Sequence, residues 1–148
     1  MRMKPALFHG HITIASDLKC LHDLRQFVSQ FYVIRGIRRQ EAVSITVAID
    51  EAVSNIIRYA YHDDPSGVID VRMEILADRV VATIADTGRP FNPLRHPTPR
   101  VGQRLKQGKS GGLGILLIRK NMDAITYRRE ADSCNLLKLT KLLPKTGK

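Results

Sequence analysis

The apolar residues change period along the chain, and each change marks an element. His11 to Ala15 alternates and is β-branched, the pattern of a strand. From Leu18 the spacing becomes helical, with Leu21, Leu24, Val28, Phe31 and Tyr32 on one face. Ser16 or Asp17 offers the N-cap of this first helix, and Gly36 ends it. A second helical segment runs from about Arg39 to Tyr61, striped by Ala42, Ile45, Ile49, Ala52, Val53, Ile56 and Ala60. The polar cluster His62 to Gly67 predicts a turn. Val68 to Leu76 returns to period two, Ala77-Asp78 turns the chain, and Arg79 to Ala85 forms the second arm of a hairpin. A long stretch follows with four prolines (Pro90, Pro93, Pro97, Pro99) and almost no hydrophobic period, as in a functional lid or a disordered segment. Ser110-Gly111-Gly112-Leu113-Gly114 then opens a helix, Ile115 to Met122. Ala124 to Arg129 and Asn135 to Leu143 are the last strands, joined near Ala131-Asp132-Ser133.

The predicted order is β-α-α-β-β-lid-α-β-β. Short turns between neighbouring strands imply a mixed, mostly antiparallel sheet, with the helices gathered on one face as an α/β (α+β) two-layer sandwich. A Rossmann unit fits poorly, because strands and helices do not alternate regularly. A length of 148 residues predicts one domain, 1–148.

Composition narrows the function. The longest apolar runs are too short to cross a bilayer, and the first ten residues hold no apolar stretch of signal-peptide length. Cys20 and Cys134 lie far apart, in no CxxC and no zinc spacing, so the expectation is a reduced, cytoplasmic protein. There are 24 Lys and Arg against 14 Asp and Glu, a formal charge of +10. Such a charge admits nucleic acid as a partner. Aromatics at 5% with no Trp leave few stacking platforms, and the basic residues are spread along the chain. One stretch stands apart: Thr87 to Ser110 holds Arg89, Arg95, Arg100, Arg104, Lys106 and Lys109 and no acid.

Three places could carry chemistry. Glu51 and Asn55 stand four apart, one above the other on a helix face, where a carboxylate and an amide oxygen can hold a hard cation or orient a hydroxyl. The ordinary alternative is a solvated pair. Asp86, at the end of a buried strand and followed by Thr87-Gly88, suits recognition of a ligand amino group; the alternative is an Asp-led turn. Gly111-Gly112-Leu113-Gly114 before a helix lets the backbone and the helix N-terminus approach an anion; the alternative is a flexible linker. It is not a Walker A loop. The scattered histidines carry the bland reading, the cysteines read as buried small hydrophobes, and Phe27, Phe31 and Tyr32 read as core or dimer contact.

In this order and at these spacings the chain resembles the small ATP-binding serine kinases that act as bacterial anti-sigma factors, within the superfamily of histidine kinases, gyrase B, Hsp90 and MutL. Glu51-Ala52-Val53-Ser54-Asn55 with Tyr59-Ala60-Tyr61 is similar to the family's N box. Asp86-Thr87-Gly88-Arg89-Pro90-Phe91 is similar to its adenine box, and Gly112-Leu113-Gly114-Ile115 to its second glycine box. The resemblance implies a Bergerat-type ATP-binding fold, with ATP and Mg2+ as cofactors. Asn55 would ligate Mg2+, Glu51 would be the general base on a substrate serine, and Asp86 with Gly88 would hold adenine. Gly112 and Gly114 would flank the phosphates, Asn135 would stand near adenine, and residues 92 to 110 would form the lid. Some relatives place an arginine before the second glycine box; here Lys109 beside Ser110 is nearest that place. The family commonly has His-Ala-Tyr where this chain has Tyr59-Ala60-Tyr61.

The function implied is a kinase that binds a sigma factor and phosphorylates a serine of an anti-anti-sigma protein. A homodimer is expected, with no membrane association. Two competitors stay open: a non-catalytic ATP-binding switch for the same partners, and a basic nucleic-acid-binding module.

Overall fold

The computed structural model describes residues 7–95 and 113–145. Five strands form one sheet: β1 (Phe8–Ala15), β2 (Val68–Ile75), β3 (Arg79–Asp86), β4 (Ala124–Arg129) and β5 (Asn135–Leu142). Their order across the sheet is β1-β2-β3-β5-β4. Every pairing among these strands is antiparallel, so the parallel component of the expected mixed sheet is absent from the described residues. Helices α1 (Leu21–Arg35), α2 (Arg39–Asn55) and α3 (Leu113–Asn121) form the second layer, with α2 packed between the other two. None of the described helices is long and apolar enough to cross a membrane.

Alternation decides which face of the sheet is covered. Ile69, Val71, Met73 and Ile75 of β2 are buried beneath the helices. Their neighbours Asp70, Arg72 and Glu74 lie on the other face, level with His11 and Thr13 of β1. There Thr13 Oγ1 donates to Asp70 Oδ1 at 3.1 Å, and the His11 ring meets the same carboxylate. The α2 stripe predicted from spacing is the core itself: Ala42, Ile45, Ile49, Ala52 and Val53 are all buried.

Element ends follow local chemistry. Asp17 caps a 3-10 turn, Leu18–Cys20, accepting from the Lys19 N–H at 2.9 Å, and α1 proper begins at Leu21. Gly36 ends α1 with φ +62°, a conformation that costs glycine nothing. His62 and Asp63 take positive φ in the predicted turn, as Ser133 does between β4 and β5. Three expectations need correction. The first strand begins at Phe8, three residues before its alternation becomes readable. The second helix is α-helical only to Asn55; Ile56–Ala60 form a π-helical turn, a change of winding that leaves the apolar period intact. Cys20 and Cys134 are half-buried free thiols, not core residues.

Gly10 shows how tightly β1 meets the helices. A Cβ there would collide with the Phe31 ring, which Phe8 and Phe27 also meet edge-on at centroid distances of 4.8 and 5.2 Å. Gly10→Val is therefore expected to destabilise the fold by about 1–3 kcal/mol through overpacking. Thermal or urea denaturation checks this, and Phe31→Leu should recover part of the loss in the double variant.

Candidate nucleotide site

The end of α2 carries the first two candidate residues. Val53 and Ala52 hold this turn in the core, so the apolar face runs straight into the polar residues Ser54 and Asn55. Asn55 is only 7% exposed, which rules out the solvated alternative for it. Its Nδ2 is buried and has no hydrogen-bond partner among the described residues, an arrangement that costs about 1–3 kcal/mol and points to a ligand group. Glu51, one turn earlier, is half-buried. Burial pushes its pKa up, the nearby Asp50 carboxylate adds to this, and Arg58 opposes it.

Gly114, in the first turn of α3, faces this pair. A Cβ at Gly114 would collide with the Glu51 carboxylate and would lie 3.7 Å from Asn55 Nδ2. A side chain here would have to displace the end of the Glu51 carboxylate, which glycine leaves in place. Two separate motifs of the chain thus meet in space. Gly112, Lys109 and the lid residues from 96 to 110 lie outside the described residues; of residues 92 to 95, which are described, Pro93 lines the cleft.

Asp86 ends β3 at the same cleft, 6% exposed. Its Oδ1 accepts from the Gly88 N–H at 2.9 Å and from Asn135 Nδ2 at 2.9 Å. The register that pairs Asp86 with Asn135 across β3 and β5 puts that amide in place. Asn135 also donates to the Gly88 carbonyl at 3.0 Å. Its Oδ1 accepts from the Tyr127 hydroxyl at 2.9 Å and from Arg129 Nη1 at 2.8 Å. Burial raises the Asp86 pKa, and Asn135, the Gly88 N–H and Arg129 pull it back. Asp86 Oδ2 makes no hydrogen bond among the described residues, which leaves an acceptor for a ligand amino group.

Gly88 is needed for a different contact. A Cβ there would lie 2.8 Å from the Ala60 carbonyl oxygen, which already accepts from the Arg89 N–H at 2.9 Å. The π-helical turn and the Asp86 turn are thereby pressed together. Tyr61 ties them again: its hydroxyl accepts from the Thr87 N–H at 3.0 Å and donates to the Val68 carbonyl at 2.9 Å.

Between these groups lies a cleft lined by Ala52, Asn55, Ile56, Asp86, Phe91, Pro93, Ile118, Tyr127 and Leu137. Apolar walls with two polar groups at defined places suit a flat heterocycle with an exocyclic amine. The described residues contain no cluster of three or more His, Cys, Asp or Glu able to cage a metal ion. Tyr127 and Arg129 escaped the sequence motifs; their signal was the hairpin pairing that sets Arg129 opposite Asn135.

The helix-end amide of Asn55 and the strand-end Asp86 thus line one cleft of an α/β two-layer domain, and the glycine-led start of α3 lies against Asn55. The profile of the histidine kinase-like ATPase domain matches residues 14–141, and the chain belongs to that family. It is 31% identical over 97 residues to the serine/threonine-protein kinase BtrW of Bordetella bronchiseptica, covering 66% of this chain and 68% of that protein. It is 28% identical over 114 residues to the serine-protein kinase RsbW of Staphylococcus aureus, covering 73% and 71%. Among solved structures, the RsbU and RsbW domains of Rv1364c from Mycobacterium tuberculosis match with a TM-score of 0.62 at 18% identity; 93% of this chain is covered but only 33% of that one. The SiaB–SiaC complex from Pseudomonas aeruginosa gives 0.59 at 14% identity, covering 93% and 91%. At these identities the structural likeness establishes the fold.

Asn135 anchors the strand-end network, so its loss should register as stability. Asn135→Leu removes the amide donor shared by Asp86 and the Gly88 carbonyl and takes the acceptor from the Tyr127 hydroxyl, while Arg129 Nη1 keeps only its longer contact to the Gly88 carbonyl at 3.4 Å. The expected cost is about 1–3 kcal/mol in chemical denaturation, with no ligand present.

Proposed function

We infer that the protein is an ATP-dependent protein serine kinase of the anti-sigma, partner-switching kind. The observation that carries this is that Gly114 closes on Glu51 and Asn55, while Asn55 and Asp86 line one cleft. The distribution of chemistry along the cleft supports it. Asp86 Oδ2 would accept from the adenine amino group, while Gly88, with Asn135 behind it, keeps the backbone close. The N-terminus of α3, with Gly114 and Gly112 and with Lys109 before them, would meet the phosphates.

The donor set fits Mg2+ in the way that ion is usually bound, through one protein oxygen with phosphates and waters completing the shell. Asn55 would supply that oxygen, while its buried Nδ2, with no hydrogen-bond partner among the described residues, is a donor left for an acceptor such as a phosphate oxygen. The metal would supply charge neutralisation at the phosphates.

Phosphoryl transfer asks the protein mainly for position and charge. A serine hydroxyl of the substrate would attack the γ-phosphorus; the new O–P bond forms as the bond to the bridging oxygen breaks, and ADP leaves. Glu51 would accept the hydroxyl proton, and its burial beside Asp50 makes that carboxylate a better base than an exposed one. The serine belongs to an anti-anti-sigma protein, and the competing partner is a sigma factor, for which the high positive charge of this chain suits an acidic surface. A homodimer belongs to the same reading.

Glu51→Gln keeps the shape and removes the base. Radiolabel transfer from ATP to the anti-anti-sigma partner should fall about 10²–10⁴-fold, with ATP affinity close to wild type. In the wild type the rate should fall as pH drops through the Glu51 pKa. Because burial raises that pKa, the fall should begin above the ordinary glutamate range, and it should vanish in the variant. Equal transfer by both proteins would refute the assignment; no transfer by the wild type would favour a passive ATP-binding switch.

Asn55→Ala should lower ATP affinity markedly in Mg2+ and change it little in EDTA, with the fold preserved. Calorimetry in the two buffers checks this, and equal losses in both would remove the metal role from Asn55.

A further inference from the structure

We propose that Asn135 makes the cleft reject guanine by occupying one oxygen of the Asp86 carboxylate. The inference rests on the reading that this cleft takes the base of ATP. A buried carboxylate alone does not choose adenine. Adenine offers it one donor, the 6-amino group. Guanine offers two side by side, the N1–H and the 2-amino group, and a carboxylate with both oxygens open accepts them as a pair, one on each oxygen. An unguarded aspartate would therefore favour guanine.

Asp86 is guarded. Its Oδ1 accepts from the Gly88 N–H and from Asn135 Nδ2, both at 2.9 Å, and those two bonds use the lone pairs of that oxygen. Only Oδ2 is left among the described contacts, which is enough for the adenine amine and one acceptor short of the guanine pair. A second guanine donor would be buried against an oxygen already filled. Leaving a buried donor unpaired is a strong ground for rejecting a ligand.

Three further bonds fix which way Asn135 presents its amide. Its Oδ1 accepts from the Tyr127 hydroxyl and from Arg129 Nη1, and its Nδ2 also donates to the Gly88 carbonyl. The Tyr127 hydroxyl is itself held by the Phe91 backbone and by Arg129. Turned over, the amide would set its oxygen against the Asp86 carboxylate and its N–H groups against the Arg129 guanidinium. Asn135 is 2% exposed and does not line the cleft. It is a positioning residue that acts on the base through Asp86. Without it the Gly88 N–H alone holds Oδ1, and the carboxylate can turn both oxygens to the cleft.

The test is displacement of the N-methylanthraniloyl derivative of ATP by ATP, GTP and inosine triphosphate in Mg2+, comparing wild type, Asn135→Ala, Asn135→Leu and Gly10→Val. Inosine keeps the N1–H and the 6-oxygen of guanine and lacks the 2-amino group. The wild type should prefer ATP to GTP. In the Ala and Leu variants the ratio of ATP to GTP affinity should fall by about tenfold or more, the worth of one hydrogen bond to a charged group, and GTP should gain over inosine triphosphate. Leu guards against a folding defect of the Ala variant. Gly10→Val loses stability at a residue that does not line the cleft, so it should keep the wild-type ratio. An unchanged ratio in the Asn135 variant that folds, a gain for inosine triphosphate equal to that for GTP, or an equal fall in Gly10→Val overturns the proposal. Failure of the wild type to bind the ATP probe would instead overturn the reading of the cleft.

Discussion

A carboxylate buried at the end of a central strand is the constraint from which most of the site follows. Asp86 sits where desolvation opposes its charge, and the fold must supply donors to keep it there. One donor comes from its own turn, through Gly88. The other comes from Asn135, which reaches it because β3 and β5 pair in a register that sets the two opposite. Asn135 must in turn be held, and Tyr127 and Arg129 of β4 hold it. Three strands are thus committed to one carboxylate oxygen, and the second oxygen is left for a ligand. A half-satisfied polar group of this kind is expensive in a core and useful in a pocket.

The second constraint runs through α2. The helix that forms the centre of the core also ends in the polar residues of the site, so the position of Asn55 is set by the packing of Ile45, Ile49 and Val53. Rigid support of this sort suits phosphoryl transfer, where placement matters more than covalent chemistry. Beyond Asn55 the winding changes to a π-helical turn, which brings the Ala60 carbonyl against Gly88 and the Tyr59 ring against Phe91. The same turn therefore braces both the Asp86 turn and the segment that carries Phe91.

The element order, the antiparallel hairpins and the α2 core stripe were legible in the sequence, because periods of two and 3.6 report which face of a strand or helix is buried. So were the three motifs, whose order and spacing single out one family. Local chemistry also marked Gly36 as a helix end and Ser16 or Asp17 as a cap, of which Asp17 caps the 3-10 turn ahead of α1. The strand start at Phe8 was not legible, since Gly10 breaks the alternation and its reason, the Phe31 ring, lies two elements away.

What only the tertiary structure decided is which of these residues touch. Glu51 and Gly114 are far apart in the chain, and nothing local states that a side chain at Gly114 would strike the Glu51 carboxylate. Asn55 and Glu51 share a helix face, yet one is buried and the other half-buried, a difference that spacing along the helix does not reveal. The roles of Tyr127 and Arg129 depend on strand register, and the stack of Tyr59 on Phe91 depends on a π-helical turn that leaves the apolar period intact. Sequence periodicity records burial of single faces; register, winding and close approach are properties of pairs of elements, settled only when the whole core packs.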